Sequence, residues 1–529
     1  MNTVKDIVIF GGKKGADKPQ YTFYNFDGEV EMKTFAQVNY DLTGLGQYLY
    51  KLGLRGKKVA ILSENSYYWI ACYFSIITGK ITAVPMDPKL PDDDIIDIMI
   101  RSGCNAIYYS EDFKDTVKKM KKTDGVVIEQ YIKIEDFYSM VEEGHNEVKN
   151  GVESYLEDDV LPSDLAFLVY TSGTTGKSKG VMLSQENVAA DSVASCRVMT
   201  GGPAIGFLPL HHAFSWVGAL FSGNLLTEWG FICRSLKDIQ KDMNTYHPQN
   251  FSAVPLAVET IYKKIWFTAK KSGREEMLKK GLKISNFLLK LGIDKRRKIF
   301  SEILNNLGGS LEMIVCGGAY LDEQYEKGME AFGIKIINGY GITECSPAVT
   351  CNRLDAYKVG SVGIPLPCNE IKIKDPDEDG IGEICVKGKN VMVGYYNDPE
   401  ATAEVFDGDW FLTGDYGYID EDGFLFFKGR KKNLIILSNG KNVSPEEIED
   451  KLSTIDYVKE VVVYEEKGYI TAEFFLDTVE TPDAKGRIKA DVNEINRKMP
   501  SYKQVTRIKT RDNEFPKTTT LKILRDYKK

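Results

Sequence analysis

The sequence predicts an α/β protein with a large N-terminal body and a small α+β C-terminal domain. Three observations carry this. Short β-like runs alternate with helical patterns through the first half. A strand-and-turn texture begins at Gly360, and a compact βαβ-like tail follows the charged "KGRKKN" at residues 428–433. In chain order, "KKVAILS" reads as a strand, "NSYYWIACYFSIITGK" as a helix and "ITAVPMDP" as a strand. "DDDIIDIMIRSG" is helical and "NAIYYS" strand-like, an alternation that points to a parallel sheet. Residues 261–307 read as helical with an excess of Lys and Arg. "GEICVKG" and "GFLFFKG" belong to the β-rich part, and the tail contains the helical "SPEEIEDKLST" and the strands "VKEVVVYEE" and "YITAEFFL". The expected boundaries are 1–428 for the large domain, 429–433 for a hinge and 434–529 for the C-terminal domain.

Bulk properties exclude several function classes. At 529 residues the chain exceeds one typical core. With 43% hydrophobic and 27% charged residues it has an ordinary globular composition. A net charge of -8 argues against a nucleic-acid-binding surface overall. "YWIACYFSIITG" and "FSWVGALFSGNLL" are too short and too interrupted to cross a bilayer, and "MNTVKDIVIFGGKK" lacks the features of a secretory signal. Nine scattered cysteines without a CxxC pair suit a reduced cytoplasm, and four histidines leave little room for a multi-histidine metal centre.

The stretch with the most chemistry is "VYTSGTTGKSKGVMLS", from Val169 to Ser184. A Walker A loop needs Gly five residues before the Gly of its Gly-Lys pair, and here that position is Thr171. Even so, Gly173, Gly176 and Gly180 let backbone amides approach an anion. Thr171, Ser172, Thr174, Thr175 and Ser178 add hydroxyl donors, and Lys177 and Lys179 add charge. Strand-like "LAFLVY" ahead and a helix after "LSQEN" place the loop at a strand's carboxyl end, where α/β sheets bind ligands. By composition alone, the stretch also reads as a solvated turn.

The string as a whole resembles the phosphate loop of the adenylate-forming superfamily, with its acyl-CoA synthetases, luciferases and peptide-synthetase adenylation domains. Four further segments match in the expected order: "PLHHAF", "NGYGITECSP", "WFLTGDYGYID" with "GRKKNLIILSNGKNVSPEEIE", and "FPKTTTLKILR". The resemblance runs from about Tyr21 to the C-terminus. It implies a large domain of two doubly wound α/β subdomains plus a β-rich subdomain. It also implies an enzyme that joins a carboxylate to ATP as an acyl-adenylate, releases pyrophosphate, and passes the acyl group to a thiol. Two anions must meet for this, so charge neutralisation and alignment are the first demands on the site.

The resemblance implies a role for each matched residue. Residues 171–179 would hold the β- and γ-phosphates. Tyr340 would stack on adenine, with Asn338, Gly339 and Gly341 lining that pocket. Thr343 would bond the α-phosphate, and Glu344 would help hold Mg2+, a hard ion suited to oxygen ligands. Gly317, Gly318 and Ala319 in "VCGGAYL" would let nucleotide and acyl group approach. Asp415 would accept both ribose hydroxyls, with Arg430 beside it. His212 would orient the acid, while a packed core histidine is the plain alternative. Lys522 would bridge carboxylate and α-phosphate; the family string has Gly before this lysine, whereas here it is Leu521, and Lys517 is its rival. Lys432 would be the hinge on which a mobile C-terminal domain rotates between two half-reactions. Gly440 and Lys441 would meet the pantetheine arm of CoA.

No Asp stands in "HHAFSWVGAL" to pair a substrate ammonium, and Phe214, Trp216 and Val217 are apolar. An apolar acid fits, and the wording of "KNVSPEEIE" and "PKTTT" looks most like bacterial long-chain fatty acyl-CoA synthetases. Expected cofactors are ATP, Mg2+ and CoA. Acyl carrier protein is the alternative acceptor, and a non-catalytic nucleotide sensor is the alternative of another class. The basic run at residues 263–298 reads as a solvated helix face, compatible with weak peripheral membrane contact.

Overall fold

The computed structural model describes all residues except 172–177, 197–201, 234–237, 438–441, 518–522, 524 and 526–529; at 218, 219 and 442 the backbone alone is described. The chain divides into two compact units, Met1–Glu370 with Val386–Phe411, and Ile371–Cys385 with Leu412–Lys529. The expected hinge at 429–433 falls inside the second unit.

Among the described residues, the first unit holds two large sheets. One has nine strands in the order Ile364–Pro365, Ala348–Cys351, Lys335–Gly341, Met313–Cys316, Asn250–Ala253, Ala204–Gly206, Gly230–Ile232, Pro19–Tyr24 and Val30–Thr34. Its central strands are parallel, and antiparallel pairs close both edges. The other has seven strands in the order Gly394–Tyr395, Lys179–Ser184, Leu165–Thr171, Thr82–Pro85, Lys58–Leu62, Ala106–Tyr109 and Gln130–Lys133. Sequence pattern and structure agree at Asp92–Ser102: three acidic residues start the helix, isoleucines at 95 and 98 face the core, and Gly103 ends it in the left-handed region.

One strand was not foreseen. The residues after the Gly-rich stretch form the strand Lys179–Ser184, which pairs antiparallel with Leu165–Thr171 as the second arm of a hairpin. The helix comes only afterwards, at Gln185–Ser195, where Ser184 and Asn187 form a reciprocal cap.

In the second unit, Val458–Glu466, Tyr469–Leu476 and Arg507–Arg511 form a three-stranded sheet. The helices Pro445–Ser453 and Ala484–Asn496 cover it, burying Ile448, Leu452, Ile488 and Val492 against Val461, Val463, Ala472 and Phe474. Trp410–Ile419 pairs antiparallel with Leu425–Arg430.

Candidate active site

The neck of the hairpin is well defined. Thr171 and Lys179 are cross-strand partners. Lys179 places its ammonium 4.8 Å from the centre of the Tyr395 ring, and the Tyr395 hydroxyl donates to Glu344 Oε1 at 2.9 Å. Burial, and then the Glu344 charge, push the Tyr395 phenol up, which keeps it a donor. The Tyr395 side chain thus links Lys179 to Glu344. Arg101 secures the other side: its guanidinium donates to Ser178 O at 2.6 Å and Ser178 Oγ at 2.8 Å, and it lies over Tyr170. Ser172, Gly173, Thr174, Thr175, Gly176 and Lys177 lie outside the described residues.

Two parallel strand ends come next. Cys316 is the register partner of Asn338, so Gly317 stands beside Gly339. A Cβ on Gly317 would lie 3.5 Å from Gly339 O and 3.5 Å from the Phe214 ring, in ordinary contact. Gly318, at φ 88°, and Ala319 are exposed. Asn338 and Tyr340 are buried, and Glu326 holds Asn338 Nδ2 at 3.5 Å. Gly341 is needed for packing, since a Cβ there would sit 2.2 Å from Pro347 O. Thr343 opens the short 3-10 turn Thr343–Cys345 that carries Glu344. Among the described residues nothing donates to Glu344 Oε2. A single carboxylate with an open oxygen suits Mg2+, which completes its shell with phosphates and water.

The "PLHHAF" turn is pinned by Asn65, which donates to Leu208 O at 2.8 Å and accepts from Leu210 N at 2.9 Å. His212 precedes the short helix Ala213–Ser215, its ring 4.0 Å from that of His211. His211 in turn lies 3.5 Å from Asp87. Beside this turn lies a mostly apolar cavity of about 70 Å3, walled in part by Ile205, Phe207, Leu208, Leu220, Phe231 and Phe251. Phe214, Trp216 and Val217 do not line it. In the π-helical segment Trp216–Phe221, Leu220 faces the cavity while Trp216 faces the core, stacked on Phe167 with Nε1 donating to Leu210 O. One carboxylate, Glu228, also lines the cavity. Burial pushes it up, against the Gly202 N–H and Lys18.

The second unit carries its own candidates. Asp415 and Arg430 face each other across a strand pair, with Nε 3.0 Å from Oδ1, and Asp415 is almost fully buried. Lys432 is exposed in the 3-10 turn Lys431–Asn433. Gly440, Lys441 and Lys522 lie outside the described residues. The flanks of Lys522 are fixed: Lys517 and Ile523 form a bridge, Lys517 pairs with Glu460 and with Glu514 at 2.8 Å, and Arg525 pairs with Glu449.

Arg101, Tyr395 and Glu228 were missed in the sequence. Each sits outside every motif, and only the fold brings it to the site.

Comparisons with known proteins bear on the family and the fold. The family model described as AMP-binding enzyme matches residues 12–396, and the one described as AMP-binding enzyme C-terminal domain matches residues 432–527. Long-chain-fatty-acid–CoA ligase 5 of Mus musculus is 29% identical over 491 residues, covering 85% of this chain and 71% of that protein. The long-chain-fatty-acid–CoA ligase of Escherichia coli O6:H1 is 28% identical over 556 residues, covering 96% and 91%. The fold matches that of o-succinylbenzoate coenzyme A synthetase from Bacillus subtilis, solved with ATP and magnesium, at a TM-score of 0.75 and 22% identity, over 98% of each chain. With both of its domains matched in order, the chain belongs to the AMP-binding enzyme family of the adenylate-forming superfamily.

Proposed function

We propose that the protein activates a medium- or long-chain fatty acid as acyl-AMP and transfers the acyl group to CoA. The enzyme class, an AMP-forming acid–CoA ligase using ATP, Mg2+ and CoA, follows from the family and its ligase relatives. The observation that carries the acid class is the cavity. Residues 204–208 contribute to its wall, and most of its lining is aliphatic or aromatic, which supports an apolar acid. Each buried methylene would contribute about 0.8 kcal/mol.

In the first step a carboxylate oxygen attacks the α-phosphorus and pyrophosphate leaves. Thr171, Lys179 and the residues between them would neutralise the departing phosphates, and Thr343 would hold the α-phosphate. Glu344 would hold Mg2+, which supplies further charge neutralisation at the phosphates. His212 would orient the acid; no base is required, because a carboxylate is already ionised at neutral pH. Asp415 and Arg430 are assigned to the ribose. In the second step the CoA sulfur attacks the acyl carbonyl and AMP leaves. Lys517 is engaged by two carboxylates, which supports Lys522 as the bridging cation.

The test is carboxylate-dependent ATP–pyrophosphate exchange across acids of increasing chain length, followed by thioester detection. Exchange is expected to rise with chain length, and Lys522→Ala to lower it about 100–1000-fold. Exchange with no acid would overturn the reading. A thioester formed on phosphopantetheinylated carrier protein and not on CoA would replace the acceptor.

A further inference from the structure

The helix Glu275–Lys290 has two apolar faces where a surface helix needs one. Leu278, Leu282 and Ser285 pack inward, and a small core of Phe300, Phe332, Tyr262 and Trp266 receives the two leucines. A second stripe, Met277, Ile284, Phe287 and Leu291, faces away with exposures of 61, 56, 62 and 59%. The spacing of seven, three and four residues puts these side chains on one side of the helix, along about 21 Å. Phe267 of the preceding helix Pro255–Lys271 is also exposed. Such a stripe has no packing role in the folded unit, and clustered exposed apolar side chains mark an interaction surface.

Charge identifies the partner. Residues 263–298 contain thirteen Lys and Arg against three Asp and Glu, a local charge of +10 in a chain whose net charge is -8. Lys279 is paired with Glu275 and Glu276, and Arg296 with Asp294. Lys280, Lys283 and Lys290, which lie within or beside the stripe, have no carboxylate partner among the described residues. A second copy of so basic a face would be repelled.

We propose that this face docks on an anionic lipid bilayer. The helix would lie in the plane of the interface with Met277, Ile284, Phe287 and Leu291 among the acyl chains, while the flanking lysines reach the headgroup phosphates. Docking does not depend on the fatty-acid reading. Its use does rest on that reading, since an apolar acid is concentrated in the bilayer.

The experiment is co-sedimentation of the full chain, without acid or ATP, with vesicles of phosphatidylcholine and phosphatidylglycerol in equal parts, and with pure phosphatidylcholine vesicles. Binding is expected to the anionic vesicles only and to weaken with added salt. Ile284→Ser with Phe287→Ser, and separately Lys280→Gln with Lys283→Gln and Lys290→Gln, are each expected to weaken it about tenfold or more at unchanged melting temperature. Equal binding to both vesicle types, or binding that neither set of substitutions moves, would overturn the proposal. So would capture of an acidic carrier protein by this face in the absence of vesicle binding, or a dimer of the parent that the Phe287 variant dissolves.

Discussion

Gly317 and Gly341 are glycines for different reasons, and substitution separates them. A methyl on Gly341 would meet the Pro347 carbonyl at 2.2 Å, so Gly341→Ala is expected to cost about 1–3 kcal/mol, read as a lowered melting temperature. A methyl on Gly317 meets its neighbours at 3.5 Å, which the fold accepts. If Gly317 is there to admit acyl-adenylate, Gly317→Ala will melt with the parent yet lose most ATP–pyrophosphate exchange. Equal exchange by the variant would remove Gly317 from the site. At this scale the motif residues were legible because several adjacent positions share one task. Arg101 was not legible: it stands 77 positions before Ser178, and nothing local to "IMIRSG" distinguishes it from a surface arginine.

Secondary-structure elements are tied together by a buried acid. Asp191 on the helix Gln185–Ser195 is completely buried, accepting from Ala348 N at 3.5 Å and Asn390 Nδ2 at 3.3 Å. Burial pushes its carboxyl well above the usual range, against the pull of those two donors. The folded protein therefore keeps a proton that the unfolded chain has already released above the ordinary Asp pKa of about 4. Stability must fall as pH rises through that interval, by about 1.4 kcal/mol per pH unit, until the folded carboxyl ionises. Asp191→Asn, which cannot ionise, is expected to flatten this slope in urea unfolding as the pH is raised above about 4. Parallel slopes for parent and variant would mean that the acid is already charged when folded. Most elements could be read from periodicity, as at Asp92–Ser102. The strand Lys179–Ser184 could not, because "KGVMLS" becomes a strand only by pairing with Leu165–Thr171.

At the level of the whole molecule, ordered motifs made the family legible across nearly the entire chain, while the apolar cavity was not legible in detail. Its walls come from segments between Tyr21 and Ser252, and only the folded sheet says which residues share them. The hinge assignment of Lys432 predicts that Lys432→Pro impairs thioester formation far more than acyl-adenylate formation, since only the second half-reaction would need the rotated pose. Equal loss of both, measured in single-turnover experiments, would count against it. The nine-stranded sheet has a further consequence. Its strand Pro19–Tyr24 pairs on one side with Val30–Thr34 and on the other with Gly230–Ile232. On a translating ribosome the early hairpin therefore emerges about 200 residues ahead of its second partner, a wait of about 10–40 s at common elongation rates. Throughout that wait one bare hydrogen-bonding edge is open to other nascent chains. Productive synthesis should thus depend on holdase chaperones far more than the stability of the finished enzyme would suggest.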